Sequence, residues 1–192
     1  MPGPVRRSAG LRARPRGAAL ALAPLAARYN VNMISGDYAG ITTIVSGGQT
    51  GVDRAALEVA SALGLDHCGW CPSGRLAEDG TIPAHFQLRE TPSREYAERT
   101  ALNVRDSEAT LILHRGPLQG GTELTWKLAH RYGRPVLAID LNDPLPVADV
   151  RHWLAENRAG VLNVAGPRES SSPGIGNAAR AYLMALCDEF PA

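Results

Sequence analysis

Lysine is almost missing from this chain: among 20 basic residues in 192 positions, only Lys127 is a lysine. A Walker-type phosphate loop needs a lysine beside its glycines and a Schiff-base enzyme needs one as nucleophile, so both chemistries are disfavoured. Cysteine is scarce too. Three cysteines cannot all pair, and a chain of this length needs no disulfide staples, so a reduced compartment, the cytoplasm, is expected. No apolar run approaches the roughly 18 residues of a membrane span, so no membrane partner is expected. Acidic residues are absent from positions 1–36, which hold Arg6, Arg7, Arg12, Arg14, Arg16 and Arg28. The remainder carries 14 basic against 19 acidic groups, and nothing in that balance suggests a nucleic-acid partner.

What is present describes an ordinary globular protein. Apolar residues make up 44% and charged residues 20%, with a formal net charge of +1. The length suits one core rather than two. The expected division is an extension over residues 1–39 and one domain over residues 40–192. Three readings of the Arg/Ala/Pro-rich extension stand side by side: an export signal opening at Arg6-Arg7, an organelle transit peptide, or leader text upstream of a start at Met33. Each places residues 1–39 outside the fold.

Beyond the extension, short apolar runs alternate with helix-periodic segments. Ile41–Val45 reads as a strand, Val52 to Gly64 as a helix, Leu65–Trp70 as a second strand, and the text from Pro72 to Pro83 as a long polar loop. Ser93–Asp106 reads as a helix, Ala109–His114 as a buried strand and Thr122–Tyr132 as a helix. Pro135–Leu141, Val147–Asn157, Val161–Val164 and Ile175–Phe190 read as strand, helix, strand and helix. This alternation predicts a single doubly wound, Rossmann-like α/β domain: a parallel sheet with helices on both faces and ligands at the carboxyl ends of the strands.

Two glycine loops follow strands in that context. In Ser46-Gly-Gly-Gln-Thr-Gly51, the glycines Gly47, Gly48 and Gly51 would let the backbone approach an anion, while Thr50 would cap the next helix or donate a hydroxyl. The spacing is neither a Walker loop nor the dinucleotide fingerprint, so NAD is not expected. Asp53 opposes a phosphate there; it either holds a ribose or pterin donor or stabilises the helix start, with Arg54 offsetting its charge. The second loop runs from Gly116 to Gly120 and Gly121, with Thr122 opening a helix. Two phosphate cradles on one sheet edge suit a nucleotide-like ligand with a phosphate at one end and a flat heterocycle at the other. Arg75, Arg99 and Arg115 are candidate anion partners.

Cys68-Gly-Trp-Cys71 has redox-pair spacing, and His67 and His85 could complete a zinc set. The segment continues as loop instead of opening a helix, and no second paired-ligand cluster exists. Buried structural cysteines are therefore the favoured reading, with no zinc expected.

Four ordered motifs carry a resemblance. Ser46-Gly-Gly-Gln-Thr-Gly-Val-Asp-Arg-Ala-Ala-Leu57, Gly69-Trp-Cys-Pro-Ser-Gly-Arg-Leu-Ala-Glu-Asp-Gly80, Glu98-Arg-Thr100 with Asn103-Val104, and Gly120-Gly-Thr-Glu-Leu-Thr125 resemble the molybdenum carrier family over residues 40–190. That family lies within the Rossmann-like superfamily that includes the lysine-decarboxylase-like cytokinin-activating phosphoribohydrolases. The resemblance implies a homo-oligomer, dimer or tetramer, that binds molybdenum cofactor (molybdopterin) for storage or transfer, with a molybdoenzyme or cofactor-insertion protein as recipient. The candidate binding residues are then Gly47, Gly48, Gln49, Thr50, Gly51, Asp53, Arg54, Arg75, Arg99, Gly120, Gly121, Thr122 and Thr125.

The hydrolase branch supplies the competing reading, a nucleoside-monophosphate phosphoribohydrolase-like enzyme; a sensor of nucleotide derivatives is a further one. Arg99 aligns with the arginine of those enzymes, but Thr125 stands where they carry a catalytic glutamate, and a threonine cannot supply a carboxylate. Glu123 is two positions early and points about 200° away on a helix. If the chain is an enzyme, Arg99, Glu78 and Asp79 would be its catalytic residues. The departure at Thr125 favours binding.

Overall fold

A computed structural model describes residues 40–188. The expected extension over residues 1–39 therefore lies outside the described residues. Thirteen elements follow in order: β1 (Thr43–Val45), α1 (Val52–Leu63), β2 (Asp66–Cys71), β3 (Leu76–Ala77), β4 (Gly80–Thr81), β5 (Leu88–Glu90), α2 (Tyr96–Arg105), β6 (Ala109–His114), α3 (Gly120–Arg131), β7 (Val136–Asp140), α4 (Val147–Glu156), β8 (Val161–Ala165) and α5 (Ile175–Cys187). Among them, no helix is long and apolar enough to cross a membrane.

Six strands form one parallel sheet in the order β5-β2-β1-β8-β6-β7, while β3 and β4 make a small antiparallel hairpin of their own. The last strand in the chain lies in the middle of the sheet. β8 pairs with β1 through Val45↔Asn163 and with β6 through Thr110↔Asn163. If β8 and α5 preceded β1, the strands would run β8, β1, β2, β5 outward to one edge and then β6, β7 outward to the other. The direction of winding thus reverses between β8 and β6, and a doubly wound sheet opens its ligand crevice at such a point.

The two faces of the sheet differ in character because side chains alternate along each strand. Ile44, Leu111, Leu113, Ile139, Leu162 and Val164 form an apolar core with Val52, Ala55, Ala56, Val59 and Ala60 of α1, Val150 and Leu154 of α4, and Ile175, Ala179 and Leu183 of α5. The α1 residues recur at helical spacing, and Gly64, left-handed at φ 72°, ends the helix with its N–H on the Ala60 carbonyl. α2 and α3 pack on each other against the opposite face. Buried polar groups are prominent on that side: Asn163 Nδ2 donates to Thr110 Oγ1 at 3.2 Å, and Asn103 brackets the Trp70 backbone, accepting from its N–H at 2.7 Å and donating to its carbonyl at 3.1 Å.

One stretch departs from the expected pattern. The polar text after Pro72 is not simply a loop: it holds the β3–β4 hairpin, and β5 beyond it extends the sheet through Gly69↔Leu88 and Cys71↔Glu90. Strands of two or three residues are too short to show alternation. Their order comes from a satellite core of Leu57, Cys71, Ile82 and Phe86 and from the half-buried Arg75, which donates to the Ile82 carbonyl.

Candidate functional site

A cleft of about 530 Å³ lies at the carboxyl ends of β1, β8 and β6, at the point where the winding reverses. This volume is in the range of small-molecule sites. Three strand-to-helix loops converge on it, and they contribute differently.

The loop after β6 presents open backbone. α3 begins at Gly120 with no side-chain cap, and the N–H groups of Gly120 and Gly121 have no protein acceptor among the described residues. A Cβ at either glycine would meet nothing within 4 Å. Free N–H groups, the positive end of the helix dipole and room for close approach are the features that suit an anion. Thr122 and Thr125 line the cleft beside it. Thr125 is 3% exposed and its hydroxyl donates to the Gly121 carbonyl at 2.9 Å. His114 closes the strand end, its Nδ1–H donating to the Gly116 carbonyl at 2.7 Å.

The loop after β1 contributes side chains. Gln49 is 6% exposed; its Oε1 accepts from the N–H groups of Thr50 at 3.0 Å and Glu78 at 2.9 Å. Those two donors fix the amide orientation, so Nε2 is the atom left buried with no partner among the described residues. Asp53, in the first turn of α1, pairs with Arg99 of α2 at 2.8 Å. Burial pushes the Asp53 carboxyl above the usual carboxylate range, opposed by Arg99 and by the Gly166 and Gln49 amides. Arg99 Nε is likewise unpartnered, and so is Nε of Arg115, whose Nη1 reaches the Pro173 carbonyl at 3.2 Å. Gln49, Arg99 and Arg115 all line the cleft, and each carries a buried donor atom with no acceptor among the described residues.

The structure thus gathers Gln49, Asp53, Arg99, Gly120, Gly121, Thr122 and Thr125 around one cleft, together with Arg115. The other candidates stand elsewhere, and each has a structural occupation. A Cβ on Gly47 would collide with the Arg99 guanidinium. At Gly48, with φ 72°, it would lie 2.7 Å from Leu88, and at Gly51, with φ 75°, it would strike the Pro167 carbonyl. At these three glycines the group in close approach is protein. Thr50 donates to Glu78 and accepts from the Glu169 N–H at 3.2 Å. Arg54 grips Asp79 with two nitrogens at 3.2 and 3.3 Å and donates to the Gly48 carbonyl. Arg75 donates to the carbonyls of Ile82, Leu88, Pro83 and Phe86 at 2.9–3.2 Å, which holds the 82–88 segment together outside the cleft lining.

Glu78 and Asp79 are also outside the cleft lining. Glu78 accepts from Thr50 Oγ1 and from both the N–H and hydroxyl of Ser170, tying the first loop to the third. Although burial works the other way, the hydrogen bonds from Ser170 and Thr50 and the nearby Arg168 hold its carboxyl below the usual range. Cys68 and Cys71 sit three residues apart on β2, hence on opposite faces: Cys71 is buried, whereas Cys68 is exposed and departs from the expectation of buried cysteines. Among the described residues, no three His, Cys, Asp or Glu side chains group closely enough to hold a metal.

The third loop, residues 166–174 after β8, was not singled out in the sequence. Gly166, Pro167, Arg168, Ser171 and Ser172 line the cleft, and a Cβ on Gly166 would collide with the Leu113 carbonyl and Val52. Glu169 turns away from the cleft to cap α5, accepting from the N–H groups of Gly174 and Gly176. The readable signal was a strand followed by Gly-Pro, serines and Gly174 before a helix, the same context as the other two loops but with its glycines spread out.

Fold and cleft together define a doubly wound, Rossmann-like domain whose crevice is built partly by its C-terminal strand. Residues 44–187 match the model of the circularly permutated YpsA SLOG family. A solved structure from Syntrophus aciditrophicus SB, named "Putative molybdenum carrier protein", is 43% identical in sequence with a TM-score of 0.74, the match covering 77% of this chain and 95% of that one. A comparison with curated proteins returns no significant match. The chain belongs to the circularly permutated YpsA SLOG family, and the central position of β8 agrees with a permuted order.

Proposed function

We propose that the cleft binds a phosphorylated small molecule bearing a flat heterocycle, a pterin or nucleotide monophosphate, and that the protein stores or transfers it without breaking a bond. One observation carries this reading: the open amides of Gly120 and Gly121 at the start of α3 share a cleft with Gln49, Arg99 and Arg115, each of which carries a buried donor with no acceptor among the described residues. Buried donors without partners are costly, and an anionic, acceptor-rich ligand satisfies them. The neighbour named a molybdenum carrier makes molybdenum cofactor the leading cargo, since that compound combines a pterin with a phosphate.

The same geometry argues against hydrolysis of an N-glycosidic bond. Asp53 is the one carboxylate among the cleft-lining residues, and Arg99 with two backbone amides already engages it. Thr125 holds its own helix backbone, Glu123 pairs with Lys127, and Glu78 and Asp79 hold loops together. No carboxylate is placed as a free general acid among these groups.

Native mass spectrometry of freshly purified protein tests the proposal, followed by titration with a pterin monophosphate and nucleoside monophosphates. The expected result is one phosphate-bearing ligand per chain and no free base after long incubation. Base release, or failure of every phosphorylated ligand to bind, would overturn it.

A further inference from the structure

We infer that Gln49 reads a ring carbonyl of the ligand, so that the cleft selects a lactam-bearing heterocycle, such as a pterin or 6-oxopurine, over an aminopurine. The inference rests on the proposed binding of a phosphorylated ligand and narrows it to a chemical class.

The side chain is preset for this role. Gln49 is 6% exposed, and both hydrogen bonds to its Oε1 come from backbone N–H groups, of Thr50 and Glu78. A flipped amide would set its NH₂ against those two donors, so the orientation is determined by the loop and not by a rotamer choice. Nε2 is therefore a buried, obligate donor with no acceptor among the described residues, on a side chain that lines the cleft. A carbonyl oxygen completes it. An exocyclic amine, itself a donor, would leave both groups unpaired and desolvated.

Its distance from the anion seat separates ring recognition from phosphate recognition. Gln49 leaves the end of β1 and Gly120 follows the end of β6, and β8 lies between these two strands. At the usual spacing of parallel strands, their ends are roughly 10 Å apart. A phosphate seated on Gly120 and Gly121 thus places the attached ring, not a second phosphate oxygen, near Gln49. Asp53, the neighbouring acceptor, is already engaged by Arg99, so a donor on the ring edge finds less there than a carbonyl finds at Gln49.

The test uses the full chain and four probes: IMP, AMP, a pterin monophosphate and ribose 5-phosphate. IMP and AMP differ at the ring edge, and ribose 5-phosphate reports the anion seat alone. Wild type should bind IMP or the pterin at least roughly tenfold more tightly than AMP. Gln49→Glu keeps an oxygen to accept from Thr50 and Glu78 but replaces the donor by an acceptor. It should abolish or reverse that preference while ribose 5-phosphate changes little. Gln49→Met, which carries no charge, should also abolish the preference, and circular dichroism with thermal melts establishes that each variant is folded. If wild type binds IMP, the pterin and AMP equally, or if both variants lower all probes in parallel, Gln49 does not read the ring and the inference is overturned while the binding proposal stands. If no probe binds wild type at all, the binding proposal falls, and the inference with it.

Discussion

Two glycine loops that look alike in the sequence serve opposite ends. In the loop after β1, Gly47, Gly48 and Gly51 are glycine because protein atoms stand where a side chain would be: the Arg99 guanidinium, Leu88, and the Pro167 backbone. In the loop after β6, Gly120 and Gly121 face open space at a helix start. A glycine cluster after a strand therefore signals close approach, but whether the approaching group is ligand or protein depends on what the rest of the chain brings to the loop. Here α2, β5 and the third loop together fill the first loop, while a side chain at either glycine of the second would meet open space.

The sharpest way to break that contrast is Gly51→Val. The colliding groups at Gly51 are the backbone of Pro167 and Glu169, which cannot swing aside, and the residue sits at φ 75°, where a β-branched side chain is strained. A loss of about 4–5 kcal/mol in chemical unfolding is expected. A variant with near wild-type stability would show that the loop opens easily and would return it to the list of anion seats.

Arg99→Met comes next. Arg99 is 14% and Asp53 4% exposed at the side chain, and deleting the cation leaves the carboxylate buried with only the two amides. The expected loss is about 3 kcal/mol of stability. Asp53→Asn in the same chain should recover part of it, because the uncompensated charge is removed. Additive losses in the double variant would mean that the pair contributes as two independent residues.

Gly121→Val probes the other loop and should act on binding instead of folding. Nothing surrounds the added side chain, so unfolding should change by less than about 1 kcal/mol. Affinity for a phosphorylated ligand should fall by about 1.5–3 kcal/mol as the charge-assisted contacts to the α3 amides are blocked. Calorimetric titration beside a thermal melt separates the two effects. Unchanged affinity would remove α3 from the site.

The contrast also explains what was legible in the sequence. Ala109–His114 reads as a strand because a continuous apolar run has few alternatives, and α1 reads as a helix with its end at Gly64 because apolar spacing and a left-handed glycine agree. Doubly wound architecture follows from alternation alone. The place of β8 does not: its central position rests on burial of Leu162, Asn163 and Val164, and Asn163 disguises the run as that of a half-exposed strand. β5 and the β3–β4 hairpin are too short to carry a period, and an arginine donating to four carbonyls has no local signature. At the site, Gln49 and Arg99 belong to readable motifs. Gly166 through Ser172 do not, since the segment holds a single glycine and only the fold brings it to the cleft.

The smallest expected effect belongs to the clamp that closes the first loop against the third. Glu78 accepts from Thr50 on one side and from Ser170 on the other, and its carboxyl is held below its ordinary value of 4.5. A carboxylate whose folded value is depressed adds stability that is fully present above the ordinary value and is lost as pH falls through the folded one. Glu78→Gln cannot titrate at that position. The melting temperature of wild type should therefore exceed that of Glu78→Gln by a constant margin near neutral pH, and the margin should shrink once pH drops below about 4.5. Thermal melts of both proteins across that range measure it. A margin that stays constant into acid would mean that the clamp works through shape and neutral hydrogen bonds. Because Glu78 lies outside the cleft lining, ligand affinity at neutral pH should be the same in both proteins; a change there would mean that the third loop's seating on the first shapes the ligand site.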